Sequence, residues 1–425
     1  MGELLGRLST DLGERSTYDA SSQCSRCGYC EQACPTYKAT GDETRSPRGR
    51  NQLVRLLLEG KLEERASARR ALETCLLCSA CSTACFAHVP TADIVLEGRR
   101  LLADRPWAGR ALSRLLLRRR PLFELLLRCA NLAKRSGLSR LARPFLRLAG
   151  LRGLALADEH VRRAPRRFSP ELLSEQLPAS GRGAEGRPKF LQFLPCGTRY
   201  LFTEVALATR RALSSRGGSR PLNSGCCGLL AYNYGELSDA REFARQVISQ
   251  AEAAAQAEAS LVVDCSSCAA FLKSYPQLFL GDPFWKARAE KFASRVRDAV
   301  EVFDEPAARA GAGVVTYHES CRACHGQGLK APSRLLSGFS AFRPLEESDS
   351  CCGGAGAFSL LEPELSEAVL RRKIERIART GARLVVTSST SCLLQLAHGL
   401  RKYYPSCEVR HVSEVAAAHG STTGA

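Results

Sequence analysis

The sequence predicts an α-helical N-terminal domain built on two four-cysteine motifs, followed by two copies of an α/β domain with largely parallel sheets. Three observations carry that prediction. The motif C-x2-C-x2-C-x3-C occurs twice before residue 90. The remaining two-thirds of the chain repeats one cysteine pattern at a near-constant offset. Within each copy, short β-rich runs alternate with long helical patterns, as parallel strands joined through helices require.

The first motif is Cys24, Cys27, Cys30 and Cys34, followed by Pro35; the second is Cys75, Cys78, Cys81 and Cys85. Three thiolates spaced by two residues wrap three corners of a cubane iron–sulfur cluster, and the fourth, three residues on, serves the neighbouring cluster. The expected ligation is therefore crossed. Cys24, Cys27, Cys30 and Cys85 would hold one [4Fe–4S] cluster, and Cys75, Cys78, Cys81 and Cys34 the other. Residues 15–100 then form a two-cluster ferredoxin-like domain. Structural zinc usually pairs two C-x2-C knuckles around one ion, which the unbroken triplets do not resemble. Disulfides need an oxidising compartment. Residues 1–20 lack the apolar core of a signal peptide and carry charges at Asp11 and Glu14. Reduced, ligating thiols in a cytoplasm are expected.

A basic segment follows, assigned here as a helical connector over 101–185. The chain has 425 residues and a net charge of +18, and from Arg99 to Arg167 there are 19 Lys and Arg against Asp104, Glu124, Asp158 and Glu159. Leucines at helical spacing between arginines, as in GRALSRLLLRRRPLFELLLRCANLAKR, read as basic amphipathic helices. Three readings compete: a solvated connector over the core, docking onto an acidic partner subunit, and peripheral contact with an anionic membrane at the inner face. Nucleic acid is not an expected partner, because the segment has few aromatics and no recognition motif. Nor does any run approach the roughly 18 uncharged apolar residues of a membrane span. Cys129, in this leucine-rich stretch, reads as a small buried hydrophobe.

The duplicated domains are placed at 186–305 and 310–418. Cys196, Cys226-Cys227-Gly228 and Cys265-x2-Cys268 mark the first; Cys321, Cys351-Cys352-Gly353 and Cys392 mark the second. Cys196 to Cys321, Cys226 to Cys351 and Cys227 to Cys352 are each 125 residues apart, and Cys268 to Cys392 is 124. The surrounding sequence agrees, SLVVDCSSCAAF at 260–271 matching RLVVTSSTSCLLQL at 383–396. Each copy should begin with a strand ending at a cysteine, KFLQFLPC or GVVTYHESC. Helices over Leu237–Glu258 and Pro363–Thr380 come next, then a strand LVVD or LVVT, another helix, and a closing strand in VEVFDE or CEVRHVSE. Sites in such sheets form at the carboxyl ends of strands, where these cysteines fall. A twice-occurring C…CCG…C constellation is expected to bind metal or act in redox chemistry rather than merely fill a core.

With these residues in view, the chain resembles the glycolate oxidase iron–sulfur subunits. The stretch CGYCEQACPTYKATGDETRSPRGR is especially close to that family's N-terminal signature. The CCG repeats also resemble those of the CCG-bearing heterodisulfide reductase subunits, lactate-utilisation iron–sulfur proteins and the iron–sulfur subunits of anaerobic glycerol-3-phosphate dehydrogenase. The resemblance covers about residues 20–415 and is weakest across the basic helices. It implies an electron-transfer subunit, with an FAD-containing 2-hydroxy-acid dehydrogenase (glycolate or D-lactate type) as partner and a quinone or another acceptor downstream. The chain itself shows no G-x-G-x-x-G after a strand, so no catalytic residue is assigned to it.

The resemblance further implies that Cys196, Cys226, Cys227, Cys265 and Cys268 hold a non-cubane [4Fe–4S] cluster. The second repeat offers Cys321, Cys351, Cys352 and Cys392. Ser389 stands where a fifth thiol would be, with Cys324 as a candidate substitute and His318 and His325 nearby as hydrogen-bond donors to sulfur. An empty or labile site is expected there. Two alternative functions remain open: a disulfide reductase working at the first repeat, and a docking subunit tying a dehydrogenase to the membrane. The second N-terminal motif departs from the family in closing with Cys85-Phe86 instead of Cys-Pro, so a changed turn is expected.

Overall fold

The computed structural model describes residues 5–103, 119–161, 164–175, 188–254, 259–305 and 313–417. The N-terminal region opens with an antiparallel hairpin of β1 (Leu8–Thr10) and β2 (Gly13–Arg15), which the sequence did not announce. Its remaining elements are helical, the longest being Pro47–Leu58 and Thr91–Leu101. Ser46 starts the first of these by accepting from the Gly49 N–H, with Pro47 at the first helical position. Val54, Leu72, Ile94, Val95 and Leu96 close the core between these helices. Cys34-Pro35 opens the helix Pro35–Thr40, whereas Cys85 is followed by a turn in which the His88 N–H donates to the Cys85 carbonyl.

The connector contributes helices Arg120–Arg135, Leu138–Leu148 and Arg152–His160. Residues 104–118, the first part of the basic pattern, lie outside the described residues. The apolar stripe of the remaining helices faces outward: Leu132, Leu141, Phe145 and Leu148 are 66%, 70%, 75% and 92% exposed. Cys129 is also exposed, which corrects its assignment as a buried hydrophobe. The leucine-rich stretch around it does not pack inward, so helical leucine spacing does not imply burial there.

Each repeat forms its own all-parallel sheet. In the first the order is β4-β3-β5-β6, with β3 at Phe190–Phe193, β4 at Ser219–Leu222, β5 at Ser260–Val263 and β6 at Val296–Asp298. In the second it is β7-β8-β9, at Val315–Tyr317, Leu384–Thr387 and Glu408–His411. Val315 and Phe190 start equivalent strands 125 residues apart. Central strands are buried along their length, as at Val385 and Val386 and as expected of parallel sheets covered on both faces. Helices Leu237–Ala253 and Pro363–Arg379 supply much of that cover; positions 255–258 of the expected helix lie outside the described residues.

One strand expectation needs correction. The run VEVFDE does not close the first sheet. Asp298 ends β6 and caps the helix Ala299–Val302 through a capping box with Glu301, so the strand lies just before that run.

The carboxyl ends of β5 and β8 meet. The Ser266 N–H donates to the Ser388 carbonyl at 3.0 Å, and the Ser267 and Ser389 hydroxyls lie 3.0 Å apart. A Cβ on Gly197 would stand 2.3 Å from Thr390 Oγ1, so the helix Cys196–Tyr200 packs this close to the second repeat only because position 197 has no side chain.

Candidate functional site

Two thiol pockets occupy the N-terminal domain. One, of about 260 Å³, is lined by Cys24, Cys27, Cys30 and Cys85, with Cys81 on its wall. The other is lined by Cys34, Cys75, Cys78 and Cys81. Each triplet thus faces the fourth cysteine of the other motif. Burial and the neighbouring Cys24 thiol push Cys30 up to about 12; burial likewise raises Cys78 and Cys81. Thiols crowded in this way become thiolates only when a cation offsets their charge. The donor set therefore fits iron–sulfur clusters, which the described residues could hold through eight sulfur ligands.

Arginines surround the second pocket. Arg50, buried, donates from Nε to the Ala71 carbonyl at 2.9 Å and from Nη2 to Thr36 and Thr74, leaving Nη1 3.9 Å from Cys34 Sγ. Arg99 donates to the carbonyls of Leu72, Glu73 and Cys75, and through Nη1 to Asn233 of the first repeat at 2.9 Å. On its other side Cys78 shares an apolar cluster with Cys351 and Cys321 of the second repeat. The second pocket is thus packed between both repeats. Neither arginine carried a recognisable sequence signal beyond the position of Arg50 at the end of the signature stretch.

In the first repeat all five cysteines converge beyond the carboxyl ends of β3 and β5. Cys196 Sγ lies 3.7 Å from Cys226 Sγ, and Cys227 Sγ 3.3 Å from Cys268 Sγ. Donation from Cys268 holds the Cys265 thiol well below the ordinary thiol range, and Thr390 and Ser389 of the second repeat add to this effect, at 3.3 and 3.6 Å. Hydrogen bonding with Cys226, and then with Cys268, lowers the Cys227 thiol. Cys227, Cys265 and Cys268 are buried while Cys196 remains exposed, so a group bound here would meet solvent on one side. Gly228 turns the chain at φ +86°, and a Cβ there would meet Phe243 Cβ at 2.9 Å.

The second repeat keeps the same order of four thiols: Cys351 and Cys352 lie side by side, Cys321 beside Cys351 and Cys392 beside Cys352. Cys324 donates to the Ser320 carbonyl at 3.3 Å. His325 points to the N-terminal domain, with Nδ1 3.1 Å from Thr83 Oγ1. His318 turns inward: its ring and the Cys352 and Cys392 thiols place one donor atom each within 4.8 Å of one another. Burial holds His318 well below the ordinary imidazole range, so the ring is neutral. Ser389 Oγ is occupied by Ser267, Ser391 and Cys265 and turns to the first repeat's thiols.

Comparison with known proteins agrees with this arrangement. Residues 20–89 match the 4Fe-4S dicluster domain family, and residues 190–273 and 315–397 match the cysteine-rich domain family. The "Probable glycolate oxidase iron-sulfur subunit" of Bacillus subtilis is 30% identical over 438 residues, covering 96% of this chain and 95% of that protein. The glycolate oxidase iron-sulfur subunit of Escherichia coli is 29% identical, with 92% of each chain covered. Lactate utilization protein A of an Exiguobacterium species is 32% identical over 54% of this chain and 96% of its own length. A hypothetical protein from Helicobacter pylori has a related fold, with a TM-score of 0.52 at 11% identity over 89% of this chain and 68% of that one. Matched from its dicluster motifs through both cysteine-rich repeats, the chain belongs to the glycolate oxidase iron–sulfur subunit family.

Proposed function

We propose that this subunit carries electrons from a flavoprotein that oxidises a 2-hydroxy acid of the glycolate or D-lactate type to a quinone or another acceptor. Cys24, Cys27, Cys30 and Cys85 would hold one [4Fe–4S] cluster, and Cys34, Cys75, Cys78 and Cys81 the second. Cys196, Cys226, Cys227, Cys265 and Cys268 would hold a further, non-cubane cluster. Bound there, such clusters supply one-electron transfer at potentials set by local charge and hydrogen bonding. The observation that carries this reading is the placement of the second thiol pocket between both repeats, with Arg99 joining the Cys75 carbonyl to Asn233. The chain's own residues position thiolates, bury them and offset their charge. Arg50 stands beside Cys34, while Thr390 and Ser389 stand beside Cys265.

The purified chain should carry electrons but leave glycolate and lactate unoxidised, since flavin or nicotinamide cofactors do the hydride chemistry. Activity with a dye acceptor should therefore require added flavoprotein. Substantial turnover by the chain alone would refute the assignment. The exposed Cys196 favours a second reading, reduction of a disulfide substrate at the first repeat. Thiol release from a disulfide by the reduced chain, without a flavoprotein, would select it.

A further inference from the structure

The two repeats differ by a matched exchange of ligands. Position 193, on β3, is Phe193, and its equivalent 125 residues later is His318. Position 265 is Cys265, and its equivalent 124 residues later is Ser389. The second repeat has therefore lost a thiol and gained an imidazole. The imidazole is fully buried, and neither ring nitrogen reaches a hydrogen-bond partner; the Ser348 backbone approaches without closing a bond of normal geometry. A buried imidazole left in this state is destabilising unless something binds it. Its neighbours are thiols, Cys352 and Cys392, both buried.

We propose that His318, Cys352 and Cys392 bind a single zinc-class divalent ion. Mixed imidazole and thiolate donors within 4.8 Å of one another fit a tetrahedral ion, whose bonds of about 2.0–2.1 Å to nitrogen and 2.3 Å to sulfur set ligand edges of roughly 3.5–3.8 Å. The ion would tie the end of β7 to the 351–354 loop and to the helix Thr390–Tyr403. It fills a site that the sequence led one to expect empty or labile. Zinc has no redox chemistry, so the second repeat would be a structural station and the first would carry the electrons. The assignment of the ion does not depend on the electron-transfer reading.

The test uses the full chain purified without oxygen. Metal analysis should find about one zinc per chain in addition to iron, and zinc-edge X-ray absorption should show one nitrogen among sulfur ligands. His318→Gln should lower retained zinc at least roughly tenfold while iron content stays unchanged. Chains without zinc, or a zinc shell of sulfur alone, would overturn the proposal. So would a loss of iron rather than zinc in the variant. The absorption spectrum of the unaltered chain decides the matter even where the variant does not fold.

Discussion

Arg50 shows how one side chain can tune a site it does not ligate. Its guanidinium is buried, held by the Ala71 carbonyl and two threonine hydroxyls, and lies 3.9 Å from Cys34 Sγ. A fixed positive charge beside a thiolate stabilises the reduced, more negative cluster and so raises its potential. Arg50→Gln should lower the midpoint potential of the cluster built on Cys75, Cys78 and Cys81 and leave its neighbour unchanged. It should also cost about 1.5–3 kcal/mol of stability through lost charged hydrogen bonds. EPR-monitored redox titration reads the shift. A change confined to the cluster built on Cys24, Cys27 and Cys30 would place Cys34 on the wrong cluster and contradict crossed ligation.

The strands and turns of the repeats show what the sequence could and could not announce. Gly353 sits at φ +84°, with a Cβ position 2.7 Å from the Ser366 carbonyl oxygen, while Gly225 has nothing within 4 Å. Gly353→Ala should lower stability by at least about 2 kcal/mol, through left-handed strain plus a backbone clash. Gly225→Ala should change it by less than about 1 kcal/mol. Thermal unfolding of the two variants side by side measures the contrast, and equal effects would show that the double-cysteine turn does not need its glycine. The cysteine offset made both repeats legible, because it holds to within one residue across four positions. The β5 and β8 runs were legible because buried parallel strands are near-continuously apolar. Strand β4 was not: Pro221 argues against a strand, and its place at the sheet edge is what permits it. The VEVFDE run misleads because Asp298, just before it, caps the helix Ala299–Val302. From sequence, His318 reads as a donor to sulfur; only its unpartnered ring beside two thiols changes that reading. Subtracting one repeat from the other would have exposed the exchange of Phe193 for His318.

Across the molecule, thiol sites lie inside and a basic, apolar-faced connector lies outside. No helix among the described residues is long and apolar enough to cross a membrane. Leu141, Phe145 and Leu148, exposed between Arg140, Arg143 and Arg147, suit the interface of an anionic bilayer, where apolar burial and arginine attraction act together. The chain should sediment with phosphatidylglycerol vesicles and not with neutral ones. Leu141→Asp with Phe145→Asp should abolish binding; unchanged sedimentation would assign this face to a protein partner instead. The central claim is that electrons enter this subunit from a flavoprotein and reach its clusters. Rapid-freeze EPR of the full chain mixed with the partner flavoprotein and its 2-hydroxy acid tests it directly. The account predicts reduced iron–sulfur signals only when flavoprotein and acid are both present. Signals that appear with the acid and this chain alone, or that never appear with a turning-over flavoprotein, would contradict it.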